Sequence, residues 1–259
     1  MKKTVFAILM SALLTLAACS APKESDTNTN SPDAGNSEQS TTVPSAETPK
    51  PAQNGDTEAH EIVYSTAEAY KNSIGTVWVQ AVVQIKNTGS VPLYLDASSM
   101  DIENAEGKLI KTLGMCSVYP QVIAAGETAL IVEQTTLDSD PGDGELKVIA
   151  HYEAKKAKVD CIRLTVSEEE LTEDQFFGLK MKGRVENNTT EAQKLVYVVA
   201  NLYDANDRAI GQLTTILTNE LKSGEKVGFE LSTLSAPDSL TKDSVARFEV
   251  FAFPFQYQF

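Results

Sequence analysis

The chain of 259 residues is poor in the side chains on which most catalysis and metal binding depend, with two histidines, three cysteines and one tryptophan. The motifs HExxH, CxxC and GxSxG and the phosphate-cradling glycine loop are all missing, so the sequence identifies no reaction. His60 and His151 stand far apart, and no spacing brings Cys116 to His151 as a nucleophile with its base. Cationic residues are also short, 22 Lys and Arg against 36 Asp and Glu, for a net charge of −14. That balance weighs against nucleic acid or an anionic membrane surface as a direct ligand, because both are polyanions. Sustained helical periodicity is lacking, and no apolar run reaches the roughly 20 residues needed to span a bilayer.

What is present begins at the start of the chain. Lys2 and Lys3 precede an uncharged stretch from Val5 to Ala18, the basic and apolar regions of an export signal. Leu16-Ala17-Ala18-Cys19 follows at once and resembles the lipobox of bacterial lipoproteins. The small Ala17 and Ala18 suit a signal-peptidase pocket, and the Cys19 thiol is the nucleophile that accepts a diacylglyceryl group. The resemblance implies cleavage before Cys19, a covalent lipid on it, and an extracytoplasmic location at the cell membrane or outer membrane. Acyl chains contribute about 0.8 kcal/mol per buried methylene, so two or three together hold stably where one does not. Residues 1–18 are thus read as signal peptide and 19–56 as acylated cysteine and tether. From Ser20 to Ala59 the only larger aliphatic residue is Val43, and no aromatic residue, Leu or Ile occurs. Such a stretch buries too little surface to offset the entropy of ordering it, which predicts a disordered, proline-stiffened spacer.

The remaining 200 or so residues repeat. Thr76-Val77-Trp78-Val79-Gln80-Ala81-Val82-Val83-Gln84-Ile85-Lys86-Asn87 aligns with Phe176 to Asn187 at a register of about one hundred residues. Val77, Val79, Ala81, Val83 and Ile85 share one face, as do Phe177, Leu179, Met181, Gly183 and Val185, the period of a half-buried strand. Asn87-Thr88-Gly89 matches Asn187-Asn188-Thr189 as a strand-ending turn, and Asn104 to Lys108 matches Asp204 to Arg208. Ala125-Gly126-Glu127 matches Ser223-Gly224-Glu225, and Leu146 to Ala150 matches Phe248 to Ala252. Short β-rich runs every ten residues or so predict an all-β fold, two tandem immunoglobulin-like antiparallel sandwiches at 57–156 and 157–259. A small barrel is the alternative.

Part of the second copy also resembles a known family. Gly183 to Asn188, then Val198-Val199-Ala200-Asn201-Leu202-Tyr203-Asp204, Ala209-Ile210-Gly211, and Ser223-Gly224-Glu225 with Phe229, is similar to an FxLYD domain. Ala200 replaces the motif's Phe, and the first copy, with Leu93-Tyr94-Leu95-Asp96 shifted, is similar only in layout. The resemblance implies an immunoglobulin-like module of bacterial surface lipoproteins and no shared catalytic site; a fold does not fix a function.

Four further features call for a reading. Cys116 and Cys161 would close about 45 residues if bridged, worth about 4 kcal/mol by loop entropy, or else are two separately buried thiols. Asp138, Asp140, Asp143 and Glu145 surround two glycines, a composition suited to calcium, but their spacing departs from an EF-hand and fits a polar hairpin turn better. Phe251, Phe253, Phe255, Tyr257 and Phe259 alternate onto one face, as a final core strand or as an exposed patch that meets a partner. Lys180, Lys182 and Arg184 form a basic stripe on a solvated strand face. The functional expectation is a non-enzymatic binding or structural module of the cell envelope, held to the membrane by lipid and facing a protein or cell-wall partner. Alternatives are a calcium-stiffened adhesion or spacer module, and an accessory subunit of an envelope enzyme using Cys116. No cofactor is expected beyond the lipid, with calcium the one candidate ion.

Overall fold

The computed structural model describes residues 56–256 apart from 73, 143, 175–177 and 234–235. The lipobox, Cys19 and the tether up to residue 55 lie outside the described residues. Those described fall in one compact unit built of fourteen strands, every pairing antiparallel, with one 3-10 turn at Lys242–Ser244 and no α-helix among them. The fold class is all-β.

In the first half β1 (His60–Lys71), β2 (Val77–Asn87), β3 (Leu93–Glu103), β4 (Leu109–Gly114), β5 (Val118–Tyr119), β6 (Val122–Ile123), β7 (Thr128–Thr136) and β8 (Lys147–Lys156) follow one another. They form one sheet in the order β1-β2-β7-β5 and a second in which β3 pairs with β4, β6 and β8. The second half runs β9 (Thr165–Asp174), β10 (Gly178–Glu186), β11 (Val196–Tyr203), β12 (Ala209–Leu217), β13 (Lys226–Ser232) and β14 (Arg247–Pro254). Its sheets are β13-β10-β9 and β12-β11-β14. The pairings β7-β2-β1 and β13-β10-β9 coincide, as do β4-β3-β8 and β12-β11-β14, so both halves follow one plan.

Each half encloses its own core because alternate residues of facing sheets point at one another. Val79, Ala81, Val83 and Ile85 of β2 meet Leu93, Leu95, Met100 and Ile102 of β3, all essentially without solvent contact. Leu179, Met181 and Val185 of β10 meet Val196, Val198, Ala200 and Leu202 of β11. Each such side chain contributes about 1.5–3 kcal/mol by leaving water. The cross-strand pair Val83 and Ile131 has as its counterpart Gly183 and Phe229. A Cβ on Gly183 would lie 2.6 Å from Cζ and 2.8 Å from Cε1 of Phe229, so that glycine is empty to admit the ring.

The turns repeat at atomic detail. Asn87 and Asn187 are fully buried at the ends of β2 and β10. Asn87 Nδ2 donates to the carbonyls of Val91 (2.8 Å) and Ile123 (3.1 Å), and its Oδ1 accepts from Gly89 N at 3.0 Å. Asn187 Nδ2 donates to Glu191 O (2.8 Å) and Leu221 O (2.9 Å), and its Oδ1 accepts from Thr189 N at 3.0 Å. These residues, expected only to end a strand, instead tie three chain segments together. At the next turn Asn104 Oδ1 accepts from Glu106 N and Lys108 N, and Asp204 Oδ1 from Asn206 N and Arg208 N. Gly107 and Asp207 take the left-handed conformation these turns require, at φ of 78° and 59°.

The sequence predicts β2 with one face on a core and the other in water, and here the structure differs. Gln80, Val82 and Gln84, on the expected solvent face, are 5%, 1% and 8% exposed. The second half covers them: Val82, Leu130 and Val132 pack with Tyr203 and Ala209 in a third, smaller cluster. The sheets β1-β2-β7-β5 and β12-β11-β14 therefore meet face to face, giving four layers of sheet. Along β12 the contacts pass from Tyr64 of β1, beneath Arg208, to Gln84 of β2 at Ala209 and on to Tyr119 of β5 at Gln212.

Candidate functional site

The two thiols anticipated as a bridge or as separate buried groups are free. Cys116 lies in the first core just beyond β4, its Sγ donating to Leu113 O at 3.4 Å. Cys161 is on the connector before β9, with Sγ 3.7 Å from Val122 O and 3.9 Å from a Glu127 carboxylate oxygen. Burial pushes the Cys116 thiol up to about 11, helped by the charge of Glu133, and burial raises Cys161 as well. Since the thiolate is the attacking species, iodoacetamide at pH 8 is expected to modify Cys116 only after denaturation. Rapid labelling of Cys116 in the folded protein would overturn this placement. Nor does the structure bring Cys116 to His151, whose ring sits on the outer face of β8.

That outer face carries a hydrogen-bonded side-chain group. His151 Nε2 lies 3.0 Å from Asp101 Oδ2, and Thr112 Oγ1 donates to Asp101 Oδ1 at 2.6 Å. These bonds, with Thr112 first, hold the Asp101 carboxyl below the usual carboxylate range. Ser98 Oγ donates to the main-chain carbonyl of His151 and not to its ring. Asp96, Ser98, His151, Tyr152 and Glu153 line a shallow groove of about 500 Å³ here. The group joins a hydroxyl, a carboxylate and an imidazole. In sequence its members are scattered over fifty residues, and only the register of β3 with β4 and β8 gathers them.

The acidic loop is not the hairpin turn that the sequence suggested: β7 and β8, which flank it, belong to different sheets. Asp140 pairs with Lys71 at 2.8 Å and accepts from Gly142 N, and these bonds, Lys71 first, hold its carboxyl below the usual range. Asp143 lies outside the described residues. Among those described, no three carboxylate, histidine or cysteine side chains gather to hold an ion.

The aromatic face of β14 turns away from the second core. Ala252 faces that core, whereas Phe253 stacks on Tyr197 at 5.9 Å and 9° and lies 6.4 Å from Tyr119 of the first half. Tyr197 also meets Tyr119 and Phe255. These rings close one side of the contact between the halves, which neither sequence reading of that strand foresaw; Tyr257 and Phe259 lie outside the described residues. Amides fill the rest: Gln80 Nε2 donates to Ile210 O at 3.1 Å, Gln134 Nε2 to Gln80 Oε1 at 2.6 Å, and Gln212 Nε2 to Asn201 Oδ1 at 2.7 Å. Ala209 N donates to Gln84 Oε1 at 3.1 Å.

The stripe Lys180, Lys182 and Arg184 lies on the outer face of β10 among acidic neighbours. Lys180 pairs with Asp174 and Glu230, Lys182 with Glu230, and Arg184 with Glu168. Such pairs offset part of the stripe's charge.

The residues quoted for the FxLYD resemblance have separate tasks. Leu202 fills the second core, Tyr203 lies in the contact between halves with its hydroxyl donating to Glu249 at 3.0 Å, and Asp204 holds the turn. No family model matches the chain, and a search of curated proteins finds no match either.

Proposed function

We propose that this protein is a non-enzymatic lipoprotein of the cell envelope, acylated on Cys19, in which two immunoglobulin-like modules at 57–156 and 157–259 follow a tether. The modules present their loops and outer faces to a protein or cell-wall partner. The observation that carries the reading is the way the chain enters the fold. Thr57 O and Ala59 O accept from the main chain of Ser90, Thr88 and Gly89, and Lys156 pairs with Asp56. The end of the tether is thereby fastened at one end of the first half. β1 then runs twelve residues, roughly 40 Å at about 3.3 Å each, to a turn where Ile74 is 83% exposed. A hydrogen-bonded fastening at one end and an open turn at the other suit an anchored presenter. The immunoglobulin-like assignment draws on the matched pairing plan of the two halves, and the FxLYD likeness on the residues named above.

Cys19→Ser removes the thiol that accepts lipid. It is expected to abolish palmitate incorporation and leave an uncleaved precursor while the β fold is retained, because every described core residue follows position 69. Metabolic labelling with fractionation measures this. Wild-type protein that takes up no label and is wholly in the medium would make it an ordinary secreted protein.

A further inference from the structure

The connector between the halves, residues 157–164, carries one cation that touches both sides. Arg163 Nη2 donates to Val122 O at 2.7 Å and to Glu127 Oε2 at 2.7 Å, both in the first half. The guanidinium plane lies over Phe251 (5.5 Å) and Phe253 (5.7 Å) of β14 in the second half. Arg163 and Glu127 are 23% and 30% exposed in their side chains, so water screens the pair only partly. The same Glu127 oxygen accepts from Ala124 N at 2.9 Å, which fixes the carboxylate before the arginine arrives. Its counterpart Glu225 makes the same bond to Lys222 N. A carboxylate that closes a turn in both halves is thus given a second use in the first.

The geometry points to Arg163 as a latch that holds the two modules in one orientation. The rest of the contact needs such a fastening. Beside the buried Val82, Leu130, Tyr203 and Ala209 its side-chain bonds are mostly those of amides, with Ser239 Oγ on Glu68 and Arg208 over Tyr64, and contacts between modules that mix apolar and polar groups in this way ordinarily permit relative motion. Arg163 adds a charge-assisted bond from Nη2 to Glu127, a second from the same nitrogen to Val122 O, and two aromatic faces where the connector enters. When the latch is released the sheets part, Gln84 leaves Ala209, and the aromatic rings of β14 meet water while both cores stay closed.

This inference rests on reading the halves as separate modules. Amide hydrogen exchange in the full chain tests both. Ala209 N–H, held across the contact by Gln84 Oε1, reports opening between halves, whereas the β2 and β10 ladder amides at Val83 and Met181 report opening of the cores. Arg163→Met is expected to speed exchange at Ala209 at least tenfold and leave Val83 and Met181 unchanged. Glu127→Gln, which keeps an oxygen for Ala124 N and loses the charge, is expected to give a smaller acceleration at the same amide. Unchanged exchange at Ala209 in both variants would overturn the latch and leave the modules standing. An equal acceleration of all three amides would overturn both, since the halves would then open only as one body.

Discussion

Gly183→Val is expected to destabilise the second half by about 3 kcal/mol, and Phe229→Ile in the same chain to restore most of it. A single added carbon at position 183 already falls within 2.8 Å of two ring atoms of Phe229. The ring is packed in the second core and cannot swing aside. Overfilling a close-packed core costs about 1–3 kcal/mol, and valine adds two carbons beyond the first. Phe229→Ile alone opens a cavity and costs about 1–3 kcal/mol by its own route. Together they reproduce the pair that the first half uses, Val83 with Ile131, and swaps that keep volume typically cost less than about 1.5 kcal/mol. Urea unfolding of the four chains, produced without their first 19 residues, gives the cycle. Additive losses in the double variant would show that the two pairs are not equivalent.

Asn187→Ala is expected to cost about 3–5 kcal/mol. The substitution strands two carbonyls, Glu191 O and Leu221 O, and the Thr189 amide, and a buried polar group left without a partner costs about 1–3 kcal/mol. Asn187→Asp is the sharper test. A carboxylate there would face the two carbonyl oxygens that the amide nitrogen now serves, so its folded pKa would rise above its unfolded value. The added penalty would then be absent in acid and grow as pH rises through the ordinary carboxylate range. A loss in Asn187→Asp that shrinks as pH rises would mean that the two carbonyls do not face this side chain. Asn87→Asp in the first half is expected to behave alike.

These two sites also show how far the sequence could be read. The alternation through Val79 to Ile85 and Leu179 to Val185 made the core faces legible, because a strand with one face on a core must repeat every second residue. The matched turns were legible because Gly, Asn and Asp are the residues able to adopt their backbone angles. The work of Asn87 and Asn187 was not, since an asparagine at a strand end looks the same whether it meets water or three chain segments. The burial of Gln80 and Gln84 was equally hidden. A glutamine on the outward face of a strand reads as solvated, and only the approach of β12 turns it inward. The Asp101, Thr112 and His151 group depends on strand register, which local pattern does not encode.

The contact between halves joins unlike surfaces: the first half offers the outer face of β1-β2-β7-β5, and the second the outer face of β12-β11-β14. A heterologous contact of this kind carries no internal stop, and a third unit added by the same rule would lengthen the stack without limit. Two faces remain at its ends. On the second half, the positions matching Gln80, Val82 and Gln84 are Lys180, Lys182 and Arg184, paired with Asp174, Glu230 and Glu168. On the first, the face matching the β12-β11-β14 surface carries Asp101, His151, Glu153 and Lys155. Burying either face would strip water from its charges, a cost that is offset only where each charge meets a partner.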